Sequence, residues 1–162
     1  MEIRKMRGEN NKFFDDLIEE IKVIINSDKK RDKKLREICK LLKERVSYYN
    51  WVGFYLVNPT NERELILDTF IGEPTEHIKI PFGRGICGQA AEKKKTFIVQ
   101  DVSKEENYLT CSVKVKAEIV VPIFKDDKLI GEIDIDSHYI SSFTEEDKMF
   151  LERLSEIVAS II

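Results

Sequence analysis

The chain has 162 residues, the length of one domain, and 42% of them are hydrophobic, enough for a packed core and against disorder. A net charge of −3 gives no general attraction to nucleic acid or to an acidic membrane surface. The charged start lacks an apolar leader core, and no run approaches the roughly 18 apolar residues of a membrane span, so the expected compartment is the cytoplasm.

Two helices are predicted in the first 50 residues. Phe13, Phe14, Leu17, Ile18, Ile21, Ile24 and Ile25 recur at helical spacing, and so do Leu35, Ile38, Leu41, Leu42 and Val46. The basic run Lys29, Lys30, Arg31, Lys33 and Lys34 reads as the solvated start of the second helix. From Trp51 the period falls to two. Strands are predicted over Trp51–Asn58 and Glu64–Phe70, turned at Pro59-Thr60-Asn61, with a short run from Ile78 to Phe82. A glycine-rich turn and a short helix near Ile86–Lys93 follow, then strands over Thr96–Val102, Glu118–Lys125 and Leu129–Asp136. A last helix starts at Thr144, with Asp147 as its capping partner, and runs to the end. Hairpins join the strands without βαβ crossovers, so the class is α+β with a mainly antiparallel sheet. The terminal helices then share one sheet face, and the middle segment is left to cover the other.

Gly83-Arg84-Gly85-Ile86-Cys87-Gly88 matches a dinucleotide fingerprint letter for letter, but it lacks the βαβ setting that the fingerprint needs. It reads as a tight turn that sets Cys87 in the first turn of a helix, where the helix dipole favours a thiolate. Cys111 lies in a polar connection with Lys114 and Lys116 nearby, a setting open both to a reactive thiol and to an inert one. Cys39 lies beside an apolar stripe and reads as a buried thiol. Three cysteines make an odd count against a disulfide framework, and with two histidines and no C-x-x-C pair they form no zinc pattern. Strand alternation puts Ile133 and Ile135 on one face and Glu132, Asp134 and Asp136 on the other. If that second face is covered, like charges crowd and at least one carboxyl titrates high, as a general acid does; if not, it is an ordinary solvated face. Trp51 and Tyr55 share a face across Gly53, as core packing or as two walls of a pocket.

Four segments carry a resemblance. They are Asn50-Trp51-Val52-Gly53-Phe54-Tyr55, Ile80-Pro81-Phe82-Gly83-Arg84-Gly85-Ile86-Cys87-Gly88, Glu118-Ile119-Val120-Val121-Pro122 and Asp134-Ile135-Asp136-Ser137. In this order the chain resembles the free methionine-(R)-sulfoxide reductases, a stand-alone branch of the GAF domains, over roughly residues 10 to 162. The resemblance implies a single GAF domain over 1–162, with helices in 1–50, sheet and pocket loops in 51–136 and a closing helix over 144–162. It implies a six-stranded antiparallel sheet with helices on one face and a ligand pocket on the other, in a homodimer. It implies reduction of free methionine sulfoxide without a cofactor, recycled by thioredoxin. Cys111 matches the attacking cysteine and Cys87 a resolving one, joined in a disulfide intermediate. Glu118, Asp134 and Asp136 match the carboxylates that hold the amino group and protonate the oxygen, and Trp51 and Tyr55 the wall against the methylthio end. Two departures favour a non-catalytic GAF binding or redox-sensing module instead. His77 stands where many members have a further cysteine, and the segment 112–117 lacks the usual small polar residues.

Overall fold

The computed structural model describes residues 2–110 and 112–162, with side chains from residue 11 onward. Its elements are α1 (Glu2–Ile25), α2 (Arg31–Arg45), β1 (Trp51–Asn58), β2 (Asn61–Ile71), β3 (Lys79–Pro81), α3 (Gly85–Lys93), β4 (Phe97–Val99), β5 (Ala117–Lys125), β6 (Lys128–Ser137) and α4 (Glu145–Val158). The strands form one six-stranded antiparallel sheet in the order β3-β2-β1-β6-β5-β4.

The turns follow from their residues. Asn58 Oδ1 accepts hydrogen bonds from Thr60 N at 3.0 Å and Thr60 Oγ1 at 2.9 Å, closing β1 onto β2. Asp126 and Asp127 have φ values of 51° and 62°, the paired left-handed geometry that matches the twist of a two-residue hairpin between β5 and β6. β4 is shorter than the predicted Thr96–Val102. After Val99 the chain leaves the sheet, because Gln100 Nε2 donates to Phe143 O at 2.7 Å and Ser141 N donates to Gln100 O at 2.9 Å. A 3-10 turn, Val102–Lys104, then begins under the cap of Asp101. The closing helix ends at Val158 and tightens into a second 3-10 turn, Ala159–Ile161, rather than running on to residue 162.

Each face of the sheet has its own core. On one, Phe14, Leu17, Ile18 and Ile21 of α1, Leu35, Ile38 and Leu42 of α2, and Phe150, Leu151 and Leu154 of α4 pack on Ile119, Val121, Ile133 and Ile135. Cys39 is buried there, donating to Thr69 O at 3.9 Å, and burial pushes its thiol far up. The smaller core lies on the opposite face, where α3 brings Ile86, Cys87, Ala90 and Ala91 against Tyr55 and Val120. No helix among the described residues is long and apolar enough to cross a membrane.

α4 is anchored by the predicted capping box. Thr144 N and Thr144 Oγ1 each donate to Asp147 Oδ2 at 2.8 Å, and Asp147 N donates back to Thr144 Oγ1. Tyr48 and Tyr49 donate their hydroxyls to Asp147 Oδ1 at 2.7 and 2.6 Å, tying the end of the helical hairpin to α4.

A buried carboxylate row under a thiol

Register alone gathers the candidate site. β1 and β6 pair Trp51 with Asp136, Gly53 with Asp134 and Tyr55 with Glu132. On the other side of β6, β5 pairs Glu118 with Asp136 and Val120 with Asp134. Partners in register point to the same face, so the aromatics of β1 and the acids of β5 and β6 meet on the face opposite the three-helix core. Glu118, Glu132, Asp134 and Asp136 are each between 0% and 6% exposed, and no lysine or arginine among the described residues is buried with them.

That imbalance dictates the electrostatics. Burial, then repulsion from Asp134, pushes the carboxyls of Glu132 and Asp136 well above the usual carboxylate range, and burial raises Asp134 as well. The covered-face reading of the acidic strand therefore holds. Both oxygens of Glu132 and Oδ1 of Asp134 are buried without a hydrogen-bond partner. α3 lays Cys87 over this row, its Sγ 3.9 Å from Glu118 Oε2. Here the sequence expectation is corrected. The first turn of a helix favours a thiolate, but burial first, then Asp134, Glu132 and Glu118, push the Cys87 thiol well up. Desolvation and nearby carboxylates outweigh a half-charge dipole.

The turn that delivers Cys87 is built on glycine. Gly83 and Gly85 have φ values of 90° and 67°, and a side chain on Gly88 would come within 2.6 Å of Pro81 O. Asn107 locks it from outside the motif: its Oδ1 accepts from Gly85 N and its Nδ2 donates to Gly83 O, both at 2.8 Å. At the other end of the row, the Trp51 ring lies over Gly53, where a Cβ would meet the indole at 2.4 Å. The ring stacks on Phe70 at 5.4 Å, stands 6.5 Å from Tyr55, and donates Nε1–H to Glu73 O at 3.0 Å.

The expected pocket is covered but narrow. One cavity of about 10 Å³ is lined by Tyr55, His77, Ile80, Cys87, Leu109, Glu118 and Asp134 among others. A second, of about 30 Å³, has Trp51, Glu73, Ser112, Val115, Asp136 and His138 in its wall. The sequence-predicted residues thus divide between the two, with Tyr55, Cys87, Glu118 and Asp134 at one and Trp51 and Asp136 at the other. Cys111 lies outside the described residues. Its chain neighbour Thr110 offers its carbonyl to His77 Nε2 at 2.9 Å, and Tyr55 donates its hydroxyl to His77 O at 2.8 Å. Lys114, expected to sit beside the thiol, pairs with Glu73 at 3.0 Å and holds that exposed carboxyl below its usual range. Sequence reasoning put Glu132 on the right face but outside the site, and it missed Asn107. Strand alternation could have supplied the first; nothing local marks the second.

Comparison with known proteins adds a second line. The model of the GAF domain family matches residues 31–162. The chain is 35% identical over 152 residues to GAF domain-containing protein A of Dictyostelium discoideum, covering 94% of both chains. It is 32% identical over 142 residues to the free methionine-R-sulfoxide reductase of Escherichia coli, covering 88% of this chain and 84% of that one. Among solved structures, the free methionine-R-sulfoxide reductase of Neisseria meningitidis in complex with its substrate superposes with a TM-score of 0.87 at 35% identity, over 93% of this chain and 89% of that one.

Proposed function

We propose that this chain, which belongs to the GAF domain family and to its free methionine-R-sulfoxide reductase branch, is an oxidoreductase that reduces free methionine-R-sulfoxide to methionine. The observation that supports this most is the buried row of Glu118, Glu132, Asp134 and Asp136 with no buried lysine or arginine among the described residues to balance it. The ammonium of a free amino acid supplies that counter-charge, and a residue inside a polypeptide has no such group. Trp51 and Tyr55 give the methylthio end an aromatic wall.

The chemistry needs two thiols and an acid. Cys111, as thiolate, attacks the sulfoxide sulfur. Asp134 or Asp136, whose carboxyls burial pushes up toward the protonated form, gives a proton to the oxygen. The oxygen passes to Cys111 as a sulfenic acid and methionine leaves. Cys87 then attacks the Cys111 sulfur, expelling water and closing a disulfide. A dithiol reductant, thioredoxin in this reading, takes up the disulfide and restores both thiols. Binding an ammonium against the row favours ionised carboxylates, so substrate arrival changes the charge beside Cys87.

The deciding experiment follows NADPH consumption with thioredoxin and its reductase for each epimer of free methionine sulfoxide. Turnover with the R epimer alone is expected. Cys111→Ser abolishes it, and Cys87→Ser leaves one turnover that ends as a sulfenic acid trapped by dimedone. A wild-type protein that binds the sulfoxide without oxidising NADPH would select the non-catalytic GAF module instead.

A further inference from the structure

We propose that Cys87, Glu118 and Asp134 form a site for one zinc-class divalent cation, whether or not the chain turns over methionine sulfoxide. One sulfur and two carboxylate oxygens from these buried residues lie within 4.8 Å of one another. Cys87 Sγ and Glu118 Oε2 are 3.9 Å apart. Tetrahedral zinc, with its sulfur near 2.3 Å and its oxygen near 2.1 Å, sets such a pair roughly 3.6 Å apart, so a small side-chain rotation brings this pair to coordinating distance.

A second observation points to a ligand independently of the clustering. Asp134, 4% exposed, has Oδ1 buried without a hydrogen-bond partner, and Asp134 lines the same small cavity as Cys87 and Glu118. Glu132, fully buried next to Asp134 in the row, has neither oxygen partnered. Acceptors left in this state call for a donor or a cation. The cavity of about 10 Å³ has room for about one water or one ion, and none for an amino acid until it opens. The thiolate selects zinc, cadmium or cobalt over magnesium and calcium, which prefer all-oxygen shells. The ligands come from α3, β5 and β6, which is why no local cysteine or histidine spacing announces them.

Binding is a coordination exchange without redox change. The Cys87 S–H proton and the proton on the Asp134 carboxyl leave to solvent, the sulfur donates its electron pair to the cation, and the ionised carboxylates replace water on it. The ion then stands where the proposed substrate ammonium would, and it ties up the thiol that would resolve a sulfenic acid. Metal occupancy and turnover become mutually exclusive.

The test titrates the reduced full-length chain, stripped of metal and held in a phosphine reductant, with Co²⁺. One equivalent should bind per chain with a thiolate-to-cobalt charge-transfer band in the near ultraviolet. Cys87→Ser should lose the band, while Cys39→Ser and Cys111→Ser should keep it. Asp134→Asn should keep the band but bind cobalt roughly tenfold more weakly or worse. A wild-type chain with no band, a band surviving Cys87→Ser, or unchanged affinity in Asp134→Asn would each overturn the site. Because the readout is spectroscopic, loss of the reductase reading leaves this result unaffected, and the reverse holds as well.

Discussion

Asp147 and Glu132 are both fully buried, and they live by opposite means. Asp147 collects donors from Tyr48, Tyr49 and Thr144, which occupy both of its oxygens. Removing it strands two tyrosine hydroxyls and opens the α4 cap, so Asp147→Ala should cost about 3 kcal/mol or more in urea unfolding. Glu132 has neither oxygen in a hydrogen bond, and burial pushes its carboxyl up toward the protonated form, which costs less to bury. Its neutral isostere, Glu132→Gln, needs no proton uptake on folding, so it should leave stability at about pH 4 unchanged within about 1 kcal/mol and be more stable than the wild type at neutral pH. The row as a whole fixes the pH response. Glu132, Asp134 and Asp136 all titrate higher when folded than when unfolded, so the folded chain holds protons that the unfolded chain has lost. Their contribution is complete below about pH 4 and drains away as pH rises through the raised folded values. Thermal unfolding of the ligand-free protein should show a lower midpoint at pH 8 than at pH 6, and Glu132→Gln should flatten that slope.

The element that decides whether the site exists is the turn from Gly83 to Gly88. A Cβ on Gly88 would press into backbone rather than into a movable side chain, so Gly88→Ala should destabilise by about 1–3 kcal/mol and displace Cys87. Asn107→Ala keeps the glycines but removes both outer hydrogen bonds, and faster amide exchange at Gly85 with little change in the global unfolding midpoint is expected. What was legible beforehand follows the same division. Alternation in 132–136 and the Thr144–Asp147 cap are written in neighbouring residues, and each formed as read. Asn107 is not, because its partners lie more than twenty positions back and a loop asparagine has many equivalent uses. The Cys87 thiol was misjudged for a related reason. Its helix position is local information, but the acids beneath it come from strands whose register only tertiary pairing sets.

Across the whole molecule, α1, α2 and α4 spend most of their apolar surface on one core, leaving Phe13, Val23 and Met149 exposed on that side. A groove of about 280 Å³ between α1 and α4, lined by Phe14, Ile18, Met149 and Phe150, continues that surface. A homodimer assembled there should sediment as a dimer at micromolar concentration, and Met149→Glu together with Val23→Glu should shift it to monomer while the fold is kept. In the sheet, β1 and β6 meet as a central seam between two locally closed hairpins, β1–β2 and β5–β6. The hairpins close short loops, whereas the seam must draw together the two ends of the sheet-forming segment, so its entropy cost delays it. Trp51 and Gly53 approach Asp136 and Asp134 only across that seam. A refolding chain with both hairpins formed and the seam open would carry much of its native strand pairing and no binding face, so ligand recognition cannot precede closure of that seam.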